Sequence, residues 1–272
     1  MAATVPAMHE LAFVLAGFFV GFVVGLTGVG GGSLMTPLLI FFFGLKPHLA
    51  IGTDLLFAAV TKAGGSIGLA RARAIDWPVV CWTAAGSMPA ALATLAVLHH
   101  VGPADPATQR VMTSTLGVAL LLTAAATLYK ALLGKAAPRT EALSPDALAA
   151  AARPRRPVLA VLFGAVIGVL VTLTSVGAGA IGVIVLMLLY PALPLPRIVA
   201  ADIAHAVPLT LVAGLGHASI GSVDWPLLGL LLAGSLPGIW LGTRLMQKTP
   251  DRVIRSLLSV LLAYAGTKLI AL

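Results

Sequence analysis

Gly25-Leu26-Thr27-Gly28-Val29-Gly30-Gly31-Gly32-Ser33 is the stretch on which the reading of this chain turns. Apolar residues run into it from Leu11 and out of it to Phe43, yet its centre carries four glycines in five positions. Glycine costs about 1 kcal/mol relative to alanine in a helix interior, so the spacing predicts a broken helix rather than a continuous one. A break among apolar segments frees backbone N–H groups, which protein, a wet cavity or a ligand must satisfy. The signal returns at Thr174-Ser175-Val176-Gly177-Ala178-Gly179.

That return belongs to a longer repetition. Ile75-Asp76-Trp77-Pro78 recurs as Val223-Asp224-Trp225-Pro226, and Gly86-Ser87-Met88-Pro89 recurs as Gly234-Ser235-Leu236-Pro237 at the same offset. Thr53-Asp54 then falls on Ala201-Asp202, and the two glycine breaks align one residue out of that register. The chain therefore reads as two homologous halves, 1–133 and 158–272, joined by a polar, proline-containing linker at 134–157. Helices are expected at Leu11–Leu26, Leu34–Phe43, Leu49–Ala70, Pro78–Leu98 and Arg110–Leu133. In the second half they are expected at Val158–Leu173, Ala180–Tyr190, Ile198–Ser219, Pro226–Met246 and Arg252–Ala271.

Composition sets the class. Of 272 residues, 59% are hydrophobic and 10% charged, with a mean hydropathy of +1.05. A soluble domain carries nearer a quarter charged residues. Runs such as Leu49–Ala70 and Pro78–Leu98 reach the roughly 20 residues that cross a bilayer, so the fold class is an all-α polytopic membrane protein. No removable signal peptide is read at Met1–Glu10, which lacks a basic n-region. The net charge of +8 sits mostly in short loops, where it sets orientation and does not point to nucleic acid.

Orientation depends on the broken segments. If Leu11–Leu26 and Leu34–Phe43 form a re-entrant pair, each half crosses an odd number of times and the repeat is inverted. All Lys and Arg then fall on one side except Lys46, Arg110, Lys268 and the intramembrane Lys62. Single kinked helices would spread the basic residues almost evenly instead. The positive-inside rule prefers the asymmetric arrangement, with the linker cytoplasmic. Two-copy inverted folds with broken helices at matching places are a transporter design.

Small-residue spacing has a second use. Gly17, Gly21 and Gly25, and likewise Gly234, Gly238 and Gly242, recur every four residues and predict close helix packing. Packing does not need three adjacent glycines, so Gly30, Gly31 and Gly32, with Gly177 and Gly179, are candidate ligand-facing breaks. A helix N-terminus starting there offers unpaired N–H groups and about half a positive charge, which suits an anion. Thr27, Ser33, Thr174 and Ser175 could add hydroxyl donors.

Ionisable residues inside apolar helices are costly and mark function or internal pairing. Lys62 lies too deep to snorkel, with Asp54 two turns earlier. It could hold a substrate anion or only pair with Asp54. Asp202 and His205, three residues apart on one helical face, are candidate proton carriers or a structural hydrogen-bonded pair. His9, His48, His99, His100 and His217 fall in or near loops and are expected to be solvated. Asp76 and Asp224, each before Trp-Pro, read as helix N-caps with interfacial tryptophans. Cys81 alone excludes an intrachain disulfide and reads as a packing residue. No metal-ligand spacing, no nucleophile motif and no phosphate loop is present, so neither an enzyme nor a cofactor is expected.

Gly28-Val29-Gly30-Gly31-Gly32, Ala50-Ile51-Gly52-Thr53 and Ile75-Asp76-Trp77 together resemble the TauE/SafE family, also called the sulfite exporter or TSUP family. The second half departs from the pattern at Ala178 and Ala201. The resemblance covers nearly the whole chain apart from the linker. It implies a carrier of sulfite, organosulfonates or related sulfur-containing or carboxylate anions across the bacterial inner membrane, and directs attention to Gly28–Ser33 and Thr53. The partners expected are a small anion and the bilayer, with homo-oligomerisation left open. An uncoupled anion channel shares the charge pattern, and a non-transporting scaffold shares the glycines.

Overall fold

A computed structural model describes residues 4–27, 32–133, 148, 150–152, 157–245 and 251–271. The described residues are almost wholly helical and contain no strand. The first half comprises α1 (Thr4–Thr27), α2 (Gly32–Phe43), α3 (Pro47–Arg71), α4 (Trp77–Val101) and α5 (Pro106–Leu133). The second comprises α6 (Pro157–Thr174), α7 (Ala180–Leu189), α8 (Leu195–Ser219), α9 (Trp225–Leu245) and α10 (Asp251–Ile270). These boundaries lie within four residues of those expected, except that α1 begins at Thr4, seven residues before Leu11. Gly28–Gly31, Met246 and most of the linker lie outside the described residues.

Among the described residues, five helices are long and apolar enough to cross a membrane: α4, the Pro106–Tyr129 part of α5, α6, α8 and α9. Large apolar side chains stand exposed on the outer helix faces, among them Leu92, Val166, Leu188 and Leu257. In a water-soluble protein such a surface would aggregate; against lipid it is matched. α3 is as long, 25 residues, but is not among the five, correcting the expectation for Leu49–Ala70. Asp54, Lys62 and its glycines lower its hydropathy, and its stretch His48–Ala59 is buried by other helices instead of facing lipid.

Each half packs mainly through the other. α1 lies along α9, α6 along α4, α3 against α8 and α5 against α10. The glycine spacings explain the first two pairs. A Cβ on Gly17, Gly21 or Gly25 would collide with backbone at Leu231, Ser235 and Ile239 in turn. Gly234, Gly238 and Gly242 meet the backbone of Val14, Phe18 and Phe22 in the same way. Residue numbers rise together, so α1 and α9 run parallel in backbone contact. Gly164 and Gly168 seat α6 against Thr83 and Ser87 of α4 by the same device. α3 and α8 run the opposite way past each other: Gly52 faces His217, and Gly214 faces Leu56. α5 and α10 are also antiparallel, Gly117 meeting Ile270 and Gly266 meeting Leu121.

The apolar cores correspond as the helices do. Met35, Leu39, Leu227 and Leu228 build one cluster with Phe57, while Val183, Leu186, Val79 and Val80 build another with Ala204. Trp77 and Trp225 are each 58% exposed at the start of α4 and α9, as interfacial anchors require. Cys81 is exposed on α4 and does not pack in the interior; it sits on the face turned away from the bundle.

Candidate functional site

The interior polar residues converge where α3 crosses α8. Asp54, fully buried, lies in the first half of α3. Its Oδ2 accepts a hydrogen bond from Thr36 Oγ1 on α2, one turn beyond Ser33. Ser33 is also buried, at the start of that helix.

Ser175 approaches Asp54 from the second half. It follows the end of α6 with φ of 59°, in the left-handed region that non-glycine residues seldom adopt. Gly177 and Gly179 follow with φ of 137° and 129°, values open to glycine but strained for other residues. The sequence thus breaks where its glycines allow. Thr174 faces into the break, its Oγ1 accepting the Val176 N–H at 3.1 Å. α7 then starts with Gly179 as N-cap and no side-chain cap, so its first N–H groups depend on other partners.

Lys62 lies two turns beyond Asp54, about 12 Å along the helix, and is half-buried. Its strongest electrostatic partner is Asp202 of α8, with Asp54 second. The expected Asp54–Lys62 relation is therefore part of a wider set. Asp202 is buried, two turns into α8, and its Oδ1 lies over Gly182 in the first turn of α7. A side chain at Gly182 would displace that carboxylate. His205, one turn on, is buried and shares a 2.7 Å hydrogen bond with Ser87 Oγ of α4 through Nε2. Lys62 also acts on His205.

Asp54, Lys62, Asp202 and His205 thus form one electrostatic group between the two breaks, with Thr36 and Ser175 at Asp54. Two carboxylates face one ammonium, so the group carries no surplus positive charge for an anion. Thr53, also buried, uses its Oγ1 to accept the Asp224 N–H at 3.0 Å, tying α3 to the start of α9. Gly30 and Gly31 lie outside the described residues, as do the surroundings of Thr27 and Gly32.

Two residues bonded to this polar group were not singled out in the sequence. Thr36 sits one turn after Ser33 on an otherwise apolar helix, which is a faint signal. Ser87 carried a stronger one, standing in a motif repeated in both halves. The histidine expectation needs correction at two positions. His48 and His217 are buried, not solvated, because the start of α3 packs against the end of α8. His217 Nε2 lies 2.9 Å from the Thr172 carbonyl oxygen.

The helix starts differ. Asp224 caps α9, its Oδ1 accepting the Leu227 N–H at 3.0 Å. Asp76 makes no cap bond; its Oδ1 instead pairs with Arg197 Nη1 at 2.9 Å. Burial pushes the Asp76 carboxyl above its usual range, and the Arg197 guanidinium opposes that shift.

A bundle crossing the membrane, broken twice and holding buried charges between the breaks, is the architecture of a membrane transporter. The sequence profile described as Sulfite exporter TauE/SafE matches residues 13–269, and the chain belongs to that family. It is 35% identical over 261 residues to the "Probable membrane transporter protein YjnA" of Bacillus subtilis (strain 168), covering 96% of this chain and 100% of that one. It is 26% identical over 268 residues to the "Probable membrane transporter protein YdhB" of the same organism, covering 96% and 100%. A "Probable membrane transporter protein" of Methanocaldococcus jannaschii is 24% identical over 270 residues, covering 93% and 92%. No solved structure matches. The chain is a multi-pass membrane protein of a transporter family.

Proposed function

We propose that this protein is a secondary transporter that moves a small anion, sulfite or an organosulfonate or related carboxylate, across the bacterial inner membrane. The two halves work as inverted repeats, a reading supported by the antiparallel packing of α3 on its counterpart α8 and of α5 on α10. The linker 134–157 lies on the cytoplasmic side, and rocking of one half against the other exposes the site alternately. The protein catalyses no covalent chemistry in this reading.

The observation that carries the proposal is the meeting of Lys62, Asp54, Asp202 and His205 between the two breaks. Lys62 supplies the cationic contact to the anion. Ser33 at the start of α2 and Ser175, Gly177 and Gly179 at the second break offer hydroxyl and backbone donors, and the sequence assigns Thr27 and Gly30–Gly32 to the same role. Thr53 borders this set from α3.

The charge count supports coupling to protons. An anion entering beside two carboxylates and one ammonium adds negative charge in a low-dielectric interior, where uncompensated charge is expensive. Entry of a proton with the anion removes that excess, with Asp54, Asp202 and His205 as its carriers.

The test is uptake and counterflow in proteoliposomes with sulfite, sulfoacetate, taurine, sulfate and small carboxylates, with and without a pH gradient. Saturable counterflow of one class, enhanced by the gradient, is expected. Flux without counterflow would make the protein a channel, and no flux of any anion by folded protein would leave only a scaffold.

A further inference from the structure

Among the described residues, seven buried side-chain polar atoms have no hydrogen-bond partner. Five of them belong to residues that neighbour one another in turn: His48 Nδ1, Ser222 Oγ, His217 Nδ1, Ser175 Oγ and Asp54 Oδ1. Folded proteins leave few such atoms, and concentration of them in one place points to something that fills it.

This succession can be followed residue by residue. It starts at the N-terminal turn of α3, where His48 precedes Gly52 by one turn. The backbone at Ser222 and the side chain of His217 crowd Gly52, so His48, His217 and Ser222 gather about that glycine, and His48 acts electrostatically on His217. His217 then meets the Thr172 carbonyl of α6. Three residues further along the chain, just past the end of α6, is Ser175, which stands beside Asp54. Asp54 lies within electrostatic reach of Lys62. Ser175 and Asp54 stand close enough to serve each other, but a dry path would still leave the His48, His217 and Ser222 atoms desolvated and unpaired, each at a cost of about 1–3 kcal/mol. Water with two to four polar partners removes that cost.

We propose that this succession marks a hydrated proton path, entered at a proton-binding station formed by His48, His217 and Ser222 and ending on Asp54. It rests on the proton-coupled reading above and adds the route. His217 Nε2–H donates to the Thr172 carbonyl, which takes no proton onward, so Nδ1 of His217 and Nδ1 of His48 are the nitrogens that exchange protons with water along the path. The groups facing the station are few. α3 contributes His48 and Lys46 at its cap, α5 Gln109, α6 the Thr172 carbonyl, and the α8–α9 loop Ser222 and Asp224. Asp224 is engaged in capping α9. At the inner end Asp54 is met by Thr36 from α2. The remaining two orphaned atoms, Asp76 Oδ2 and Tyr190 Oη, lie away from these residues, near the start of α4 and the end of α7.

The experiment uses proteoliposomes with radiolabelled sulfite and an internal pH dye. Wild type, His48→Gln, His217→Gln and Ser222→Ala are compared in two assays: counterflow at equal pH, which needs no net proton movement, and accumulation driven by a pH gradient. Counterflow within about twofold of wild type, with gradient-driven accumulation and dye response reduced tenfold or more in both histidine variants, is the expected result. Ser222→Ala, which removes only a hydroxyl, is expected to show a two- to fivefold loss. Unchanged gradient-driven accumulation in the histidine variants would overturn the path while leaving the transporter intact. Absence of wild-type sulfite counterflow would instead strike the transport reading on which the path rests. A second measurement does not depend on the variants folding. Radiolytic hydroxyl labelling of wild type should mark His48 and His217 well above Phe57, which is fully buried; labelling no higher than at Phe57 would mean a dry interior and no path.

Discussion

Asp54 and Asp202 occupy matching places in the two halves, and their surroundings have diverged. Asp54 is bonded by Thr36 and approached by Ser175. Asp202 rests on Gly182 of α7 and is the nearer electrostatic partner of Lys62. Lys62 itself has Thr210 as its counterpart, a residue whose hydroxyl turns back to the Ala206 carbonyl at 2.8 Å. His205 likewise has the buried Phe57 as its counterpart. The halves thus share backbone packing but hold one ammonium and one imidazole between them. The two halves present unlike side chains at matching places of the sequence.

The largest effect is expected where the shared frame is broken. Gly234→Leu drives a branched side chain into the backbone of Val14 and Phe18, which no rotamer relieves. Detergent-solubilised protein should be recovered in little or no monodisperse form, as gel filtration would show. Gly229, which meets nothing within 4 Å, should accept Leu with unchanged elution.

The next effect separates the two acids. Asp54→Asn keeps an acceptor for Thr36 but removes the titrating group. Gradient-driven anion accumulation should fall at least tenfold while equal-pH counterflow persists. Asp202→Asn removes the partner that Lys62 feels most, and should lower counterflow itself by tenfold or more. Equal behaviour of the two variants in both assays would erase the distinction between the two halves.

A smaller effect is expected at the ends. Arg197→Gln breaks the ion pair to Asp76 and leaves a buried carboxylate unpaired, where the other half uses an N-cap. The pair is partly exposed, 27% on the Arg197 side, so a loss of about 1 kcal/mol in stability is expected, seen as a lower melting temperature. Smallest of all, Thr53→Val removes the acceptor of the Asp224 N–H. About 1 kcal/mol of stability should go, with apparent anion affinity changed less than twofold. A larger change in affinity would assign Thr53 to the substrate.

Much of this arrangement was legible in the sequence because it is carried by spacing. Glycines every fourth residue marked helix faces that pack closely, and the repeated Asp-Trp-Pro located two helix starts. Asp54, Lys62, Asp202 and His205 stood out because charge inside apolar helices is rare. What could not be read were meetings across long separations. Ser87 and His205 are 118 residues apart, and neither residue alone announces the other. His48 and His217 looked solvated because each lies near a helix end; only the antiparallel packing of α3 on α8 buries both. Asp76 and Asp224 share one motif, yet Arg197, distant in sequence, draws the first away from capping.

The central claim is that Lys62, held between the acids of both halves, is the cation that binds the transported anion. Its most direct test is sulfite counterflow at equal pH in proteoliposomes containing wild type or Lys62→Ala, each first shown monodisperse by gel filtration. Saturable counterflow in wild type and a rate at least a hundredfold lower in folded Lys62→Ala is the predicted result. Counterflow in Lys62→Ala at the wild-type rate and half-saturation would contradict it, and would leave the ion group between the two breaks as a means of holding α3 to α8 and nothing more.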